Sequence, residues 1–278
     1  MTTIDGSVAA ITGAANGIGE ALALELAEAG CDLAISDIDE GGLADTASKA
    51  RNLGAEVHLA DVDVSERAEV EQWAEEADDA LGGIDMIINN AGVSVSAPLD
   101  SVDWDDFEWL MDINFWGVVY GTRAFLPHLQ AAGGGHIVNI SSIFGLIAAP
   151  TQGSYCASKF AVRGYTETLR AELDLMDEPI RVSCVHPGGV RTNIARNARY
   201  GDVSMLGQDP EAMIEDFEQS LASTSPGEAA RQILEGIRAN DGRIVIGRDA
   251  RGFDLIQRLF PERYVEWVAN IVGSDWLF

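Results

Sequence analysis

Two side chains that could move a proton together lie four residues apart in this chain. Tyr155 carries a phenol and Lys159 an ammonium group, within the run Ser154-Tyr-Cys-Ala-Ser-Lys159. If this run is helical, side chains at i and i+4 share one face, with Cβ atoms about 5 to 6 Å apart. Ser142 lies thirteen residues before the tyrosine, after an apolar run, and adds a hydroxyl group. The spacing favours acid/base chemistry at one substrate oxygen.

A glycine-rich loop near the start of the sequence predicts a nucleotide site. It reads Thr12-Gly-Ala-Ala-Asn-Gly-Ile-Gly19, after an apolar run and before a segment of helical period. Glycines permit a tight turn and close approach of the backbone to a pyrophosphate, while the helix N-terminus offers free N–H groups and a positive dipole. Three glycines alone are a weak signal, and it is the strand-to-helix context that favours a dinucleotide over an ordinary turn.

Polar residues end the next predicted strands. Asp37 lies eighteen residues after Gly19, where a carboxylate could accept hydrogen bonds from an adenosine ribose. Its charge would repel a 2′-phosphate, and no Lys or Arg adjoins it in sequence, so NAD is predicted rather than NADP. Capping of the next helix is the alternative role. Asp61 could meet an adenine amino group, and Asn89-Asn-Ala-Gly92 suits a backbone running past a ligand, or a plain turn.

Short β-rich runs alternate with segments of helical period along the chain. The predicted strands are 8–11, 32–36, 56–59, 86–88, 137–140, 181–185 and 243–246. The predicted helices are 18–29, 42–53, 65–81, 103–129, 155–175 and 226–239. This alternation requires parallel strands with crossover helices, and near-continuously apolar strands indicate helices on both faces. We therefore predict a single α/β domain with a doubly wound parallel sheet of about seven strands.

Helix-start signals stand at Ser225 with Glu228, as a capping box, and at Asp209 before Pro210. The stretch 187–208 has no clear period and is interpreted as a long irregular connection. Long connections of this kind in compact domains are commonly lids, here over about 187–224.

Composition excludes several classes of partner. The 278 residues carry a formal net charge of -27 without a basic cluster, which disfavours nucleic acid and anionic bilayers. Solubility or a salt-rich habitat could each account for so acidic a protein. Three cysteines without CxxC spacing and four scattered histidines indicate neither a disulfide framework nor a metal site. No export signal or run long enough to span a bilayer is visible, so a cytoplasmic protein is expected.

Taken together and in order, these motifs resemble the short-chain dehydrogenase/reductase family over residues 7–246. The motifs that carry the resemblance are Thr12-Gly13-xxx-Gly17-x-Gly19, Asp61, Asn89-Asn-Ala-Gly92, Asn114, Ser142, Tyr155-xxx-Lys159 and Pro187-Gly188-xxx-Thr192. The resemblance implies a Rossmann-type NAD-binding and catalytic domain over 1–250. It also implies a homotetramer or homodimer formed through 103–129 and 155–175.

The resemblance assigns roles to individual residues. Tyr155 would be the general acid/base, Lys159 would hold the nicotinamide ribose and lower the tyrosine pKa, Ser142 would orient the carbonyl, and Asn114 would support a water relay to Lys159. The implied cofactor-binding residues are Gly13, Asn16, Gly17, Ile18, Gly19, Asp37, Asp61, Val62, Asn89, Ala91, Gly92, Tyr155, Lys159, Pro187, Gly188, Val190 and Thr192. The lysine is needed because a free tyrosine titrates near 10, leaving about one phenolate in a thousand at pH 7.

The function that follows is NAD-dependent interconversion of a secondary alcohol and a ketone. Alternatives are an epimerase or dehydratase that retains its nucleotide, and a regulator that binds NAD without catalysis. Apolar residues after Ser142 and after Gly92 predict a hydrophobic substrate. The aromatic-rich segment 251–278 is expected to pack on its own core, on a partner subunit or on the substrate pocket.

Overall fold

The computed structural model describes residues 2–203, 209–217, 219 and 222–272. Its strands in chain order are β1 (Val8–Thr12), β2 (Asp32–Asp37), β3 (Val57–Asp61), β4 (Met86–Asn89), β5 (Val95–Ser96), β6 (Gly135–Ile140), β7 (Ile180–Pro187), β8 (Arg199–Tyr200) and β9 (Arg243–Ile246). Seven of them form one parallel sheet in the order β3-β2-β1-β4-β6-β7-β9. The chain thus has the predicted single-domain, Rossmann-type α/β fold.

Helices cover both faces of the sheet. They are α1 (Gly17–Glu28), α2 (Glu40–Asn52), α3 (Arg67–Leu81), α4 (Trp104–Met111), α5 (Gly117–Ala131), α6 (Gly153–Leu175), α7 (Pro210–Asp216), α8 (Pro226–Ala239), α9 (Arg248–Leu259) and α10 (Tyr264–Val272). Side chains alternate between the two faces of a strand, so Ile88 of β4 packs in the layer of α1, α2 and α8, while Ile87 packs against α3 and α5. Burial on both sides explains the continuously apolar strands.

The predicted helix starts at the C-terminal side are confirmed. The Ser225 hydroxyl accepts from the backbone N–H of Glu228 at 3.2 Å, and the Glu228 carboxylate accepts from Ser225 N at 2.9 Å. The side chain of Asp209 accepts from Ala212 N at 2.9 Å, at the start of α7. These contacts satisfy backbone donors that the first turn of a helix leaves free.

The predicted helix 103–129 is divided in three, which is a correction. Between α4 and α5 lies a π-helical segment, Asp112–Trp116, in which the N–H of Gly117 bonds to the carbonyl of Asp112. This i→i+5 bond inserts an extra residue, and hydropathy does not reveal it because the apolar stripe continues through the segment. The insertion carries Asn114, which is fully buried.

The predicted irregular connection contains more order than its sequence suggests. Strand β8 pairs in parallel with β5, so that Val95 lies opposite Arg199 and Ser96 opposite Tyr200. The Arg199 guanidinium lies 3.6 Å from the ring centre of Trp109. Two-residue strands have too little period to be found in a sequence, and it is the contacts with β5 and α4 that order this stretch.

The C-terminal segment forms α9 and α10, which cover one end of the sheet. Tyr264 and Val268 are buried with Leu146 and Ile147, and the Tyr264 hydroxyl accepts from the N–H of Ala148 at 3.3 Å. The opposite side of these helices exposes large apolar side chains: Leu255, Leu259, Phe260, Val265 and Trp267. The segment therefore packs on the core of its own chain. Trp276 and Phe278, which were included in the predicted aromatic extension, lie outside the described residues.

Among the described helices, none combines the length and hydropathy needed to cross a bilayer. Within the same residues, no group of His, Cys, Asp or Glu side chains is arranged to hold a metal ion. The three cysteines are buried free thiols. The homo-oligomer stays a prediction; its predicted contact helices expose Trp104, Trp116 and Phe160.

A buried polar network joins the strands that end at the cavity described below. The side-chain amide of Asn89 donates to Asn139 Oδ1 at 2.8 Å and to Thr122 Oγ1 at 3.1 Å. The Asn139 amide in turn donates to Thr166 Oγ1 at 3.0 Å. Asn89 and Asn139 are register partners of β4 and β6, so the network fixes these strands to each other and to α5 and α6.

Replacing Asn139 by Ala should lower the free energy of unfolding by about 2 to 3 kcal/mol, because it leaves the buried partners Asn89 and Thr166 without their bonds. Denaturant titration followed by circular dichroism measures this loss. The control Asn52→Ala, at an exposed site, should stay within about 0.5 kcal/mol of wild type. Equal, small losses in both variants would contradict a stabilising role for the network.

Candidate active site

A cavity of about 440 Å³ opens at the carboxyl ends of the strands. The strand order reverses direction between β1 and β4, and open α/β sheets bind ligands in the crevice at such a switch point. The predicted residues that line the cavity are Gly13, Asn16, Gly17, Ile18, Asp37, Val62, Ala91, Gly92, Ser142, Tyr155, Lys159, Pro187, Gly188, Val190 and Thr192. The fold thus gathers residues that are separated by up to 179 positions in the chain, from Gly13 to Thr192.

Four predicted site residues do not line this cavity. Gly19 lies against the carbonyl of Gly13, Asp61 is exposed at the end of β3, and Asn114 is fully buried behind the loop that follows β4. The side chain of Asn89 faces α5 within the polar network and donates to Thr122 and Asn139. Period two explains this orientation, because Asn89 points to the same face as Ile87.

The glycine loop is held against the loop after β4. Gly13 has φ +66°, and a Cβ there would come 2.7 Å from Ala91 Cα, so only glycine fits. The Asn90 amide donates to the carbonyls of Thr12 and Gly13, both at 3.0 Å. The Thr12 hydroxyl accepts from the N–H groups of Asn90 and Ala91 at 2.9 and 3.0 Å. Asn90 was not among the predicted site residues. The sequence signal for it is the pair of adjacent asparagines, Asn89 and Asn90, at the end of β4.

Asp37 is fixed at the far end of the cavity by two backbone donors. Its carboxylate accepts from Ala15 N at 2.9 Å and from Asp39 N at 3.0 Å. The predicted alternative role, capping the next helix, is filled by Asp39, whose side chain accepts from Gly42 N. Asp37 therefore presents a fixed carboxylate to the cavity, beside the glycine loop.

Tyr155, Lys159 and Ser142 meet at the centre of the cavity wall. The first two lie on α6, and the Lys159 ammonium is 5.6 Å from the centre of the Tyr155 ring. It also donates to the carbonyl of Ile140, the last residue of β6, at 3.1 Å. Ser142 follows that strand and lines the same cavity, and its side chain favours the phenolate form of Tyr155. The i, i+4 spacing thus brings phenol and ammonium together as predicted.

Burial controls the charge of this pair. It raises the pKa of Tyr155 to about 12, and the Ser142 side chain acts in the opposite direction with a smaller effect. It also lowers the pKa of Lys159 to about 8, because a buried ammonium loses its hydration. The sequence predicted that the lysine would lower the tyrosine pKa. Burial dominates the net shift, so the phenol keeps its proton at physiological pH. The lowering effect assigned to Lys159 stays a prediction.

Two buried residues support the central group from behind. Asn114 Oδ1 accepts from Val93 N at 2.8 Å, and its amide donates to Val93 O at 2.9 Å, which clamps the loop after β4. A Cβ on Gly92 would lie 3.2 Å from Asn114 Oδ1 and 3.4 Å from Lys159 Nζ, so glycine leaves the space between them open. The water relay assigned to Asn114 stays a prediction.

His186 is the second supporting residue. Its Nδ1 lies 3.0 Å from the carbonyl oxygen of Ser142, and burial lowers the imidazole pKa to about 4. The ring is therefore neutral at physiological pH, with Nδ1 as the donor. It fixes the backbone of Ser142 and is not among the residues that line the cavity.

Known proteins are similar to this chain in sequence and in fold. The family described as short chain dehydrogenase matches residues 7–202. SadH of Mycobacterium tuberculosis is 46% identical over 274 residues, covering 99% of this chain and 98% of SadH. Estradiol 17-beta-dehydrogenase 11 of Rattus norvegicus is 30% identical over 265 residues, covering 95% and 83%. The crystal structure of a short chain dehydrogenase/reductase from Burkholderia phymatum in complex with NAD superposes with a TM-score of 0.87 at 31% identity, over 95% of this chain and 97% of that one.

The lowered pKa of Lys159 predicts a pH dependence of stability. Its ordinary value is 10.5 and its folded value about 8, so between these values the unfolded chain holds more protons and stability rises with pH. From pH 8 to pH 10, wild type should gain on the order of 2 kcal/mol relative to Lys159→Met, measured by urea unfolding without nucleotide.

Lys49, the chain's other lysine, supplies the control because it is exposed and paired with Glu20. Wild type should show no such gain relative to Lys49→Met. A flat difference between wild type and Lys159→Met across the same pH window would contradict the burial of an ammonium.

Proposed function

Because the chain belongs to the short-chain dehydrogenase/reductase family of oxidoreductases, we propose that it interconverts a hydrophobic secondary alcohol and the corresponding ketone with NAD. The observation that carries the proposal is the buried contact of Tyr155, Lys159 and Ser142 on one cavity wall. A phenol, an ammonium and a hydroxyl at a single point suit proton transfer at a carbinol or carbonyl oxygen.

The residues at one end of the cavity fit a dinucleotide. Gly13 and Gly17 have positive φ at the start of α1, where free N–H groups and the helix dipole favour a pyrophosphate. Asp37 would accept from the adenosine ribose, Val62 would pack beside the adenine, and Thr192 would bind the carboxamide. When bound, the nicotinamide ring supplies hydride acceptance in one direction and hydride donation in the other.

Selection of NAD rests on charge at the ribose end. The carboxylate of Asp37 would meet a 2′-phosphate at close range, which is repulsive. The two cations of α2 are engaged elsewhere: Lys49 with Glu20 at 2.6 Å, and Arg51 with the carbonyl of Val57 at 2.7 Å. Neither is therefore placed to neutralise a phosphate beside Asp37.

Tyr155 transfers the proton. In ketone reduction the protonated phenol, favoured by burial, donates to the carbonyl oxygen as negative charge develops there. In alcohol oxidation the phenolate accepts the proton of the substrate hydroxyl. The cavity must therefore stabilise the negative charge of the phenolate before this transfer. Lys159 supplies positive charge for this purpose, and Ser142 holds the substrate oxygen by a hydrogen bond.

The substrate end of the cavity is mainly apolar. Its walls include Val93, Phe144, Ile147, Ile194 and Phe253. Such walls favour a hydrophobic ring or chain around the reacting carbon. One relative is named for the 17-beta position of estradiol, a secondary alcohol on a hydrophobic skeleton, which supports this substrate class.

Replacing Tyr155 by Phe should lower kcat by about 100-fold or more, because the proton donor is lost, while the Kd for NADH stays within about threefold. Turnover of a panel of hydrophobic ketones and fluorescence titration with NADH measure the two quantities. Tyr165→Phe removes a phenol further along the same helix and should keep turnover near wild type. Retained activity in Tyr155→Phe would refute the assignment.

Wild type should use NAD over NADP with a kcat/KM ratio of at least about tenfold. Asp37→Asn keeps the shape of the side chain and removes its charge, so it should lower the ratio of kcat/KM for NAD to kcat/KM for NADP by about tenfold. Parallel assays with both nucleotides and one alcohol give the ratio. Asp45→Asn, exposed on α2, removes a charge of the same sign and should leave the ratio as in wild type. A wild-type preference for NADP would overturn the role given to Asp37.

A further inference from the structure

A small polar cluster interrupts the apolar walls at the substrate end of the cavity. It consists of Ser96 at the end of β5, with Thr151 and Gln152 just before α6, and all three line the cavity. Ser96 and Thr151 are 2% and 6% exposed, and Gln152 is half-buried. Burying hydroxyl and amide groups in this way costs free energy unless each group finds a hydrogen-bond partner.

The hydrogen bonds within the cluster leave two groups open. The Gln152 amide donates to Ser96 Oγ at 3.1 Å, and Ser96 Oγ donates to Thr151 Oγ1 at 3.5 Å. Among the described residues, the hydroxyl hydrogen of Thr151 has no acceptor and Gln152 Oε1 has no donor. One free donor beside one free acceptor matches an alcohol hydroxyl, which both gives and takes a hydrogen bond.

The backbone holds this cluster rigidly. Thr151 has φ +61°, a left-handed conformation that a β-branched residue rarely adopts. Its carbonyl accepts from Ala97 N at 2.8 Å, and Ala97 forms a bridge with Gln152. Strained residues of this kind persist where surrounding contacts fix them, and they are frequent in ligand sites.

The position relative to the phenol limits where the bound group can be. Gln152 is the N-cap of α6, three residues before Tyr155, and both residues line the same cavity. The cluster therefore lies about one helical turn before the phenol. A substrate oxygen at the phenol and a second one at the cluster would thus belong to one small skeleton, such as a single six-membered ring.

We propose that Ser96, Thr151 and Gln152 form a polar subsite that binds a second hydroxyl group of the substrate, about one ring away from the reacting carbon. This inference rests on the proposed function and narrows its substrate class to diols and hydroxyketones on an otherwise hydrophobic skeleton. Thr151 donates to the second hydroxyl, and Gln152 accepts from it.

The test compares 4-hydroxycyclohexanone with 4-methylcyclohexanone, in which a methyl group replaces the hydroxyl. Wild type with NADH should favour the hydroxyketone in kcat/KM by about tenfold or more, since a site with unmet hydrogen-bonding groups rejects an analogue that lacks them. In Thr151→Val and Gln152→Leu the ratio should fall to about one or reverse. Thr168→Val, exposed on the same helix, should keep the wild-type ratio.

The outcomes separate the two proposals. Turnover of both ketones without preference for the hydroxyketone, or a ratio that the two cavity variants leave unchanged, would overturn the subsite and leave the proposed function standing. Turnover of neither ketone, nor of any other alcohol or ketone in the panel, would overturn both. Thermal unfolding of each variant shows whether a change in the ratio comes from misfolding. Gln152→Glu keeps a hydrogen-bond acceptor, so its preference for the hydroxyketone should be larger than that of Gln152→Leu.

Discussion

Desolvation of the Tyr155–Lys159 pair is the constraint on which the rest of the site depends. Burial disfavours charge on both groups, raising the pKa of the phenol to about 12 and lowering that of the ammonium to about 8. The Tyr155 phenol therefore keeps its proton at physiological pH, and on the proposed function it would be the donor in ketone reduction. In the proposed alcohol oxidation, Lys159 and the oxidised nicotinamide ring would together supply the positive charge that stabilises the phenolate, and Lys159 alone leaves the pKa of the phenol high. On this account cofactor binding and activation of the base are one event.

The fold supplies what such a pair requires. Parallel strands bring their carboxyl ends to one edge, so the loops after β1, β4, β6 and β7 surround a single cavity. The Asn89–Asn139 network holds β4 and β6 in register, while Asn114 and His186 fix the loops beyond them. These polar residues lie behind the cavity wall and leave the wall itself mainly apolar. The phenol of Tyr155 can therefore be shielded from water and still face a substrate.

Much of this could be predicted from sequence, because apolar runs and glycine loops report on burial and turns. The strand predicted at 86–88 is Met86–Asn89, and the Ser225 capping box lies where its residues indicated. Features without a periodic signal were missed, among them the π-helical segment and the β5–β8 pair. The orientation of the Asn89 side chain toward Asn139 and α5 depends on strand pairing, which the sequence alone does not show. The Tyr155 pKa could not be predicted because it depends on burial, which is a tertiary property.

The most direct test is titration of the Tyr155 phenol itself, by NMR of protein labelled with ¹³C at tyrosine Cζ, assigned by comparison with Tyr155→Phe. Without nucleotide, the resonance should titrate with a pKa of about 12. In the complex with NAD, positive charge near the buried phenol should lower that pKa by about two units or more. An unchanged pKa in the complex would contradict the claim that cofactor binding creates the catalytic base.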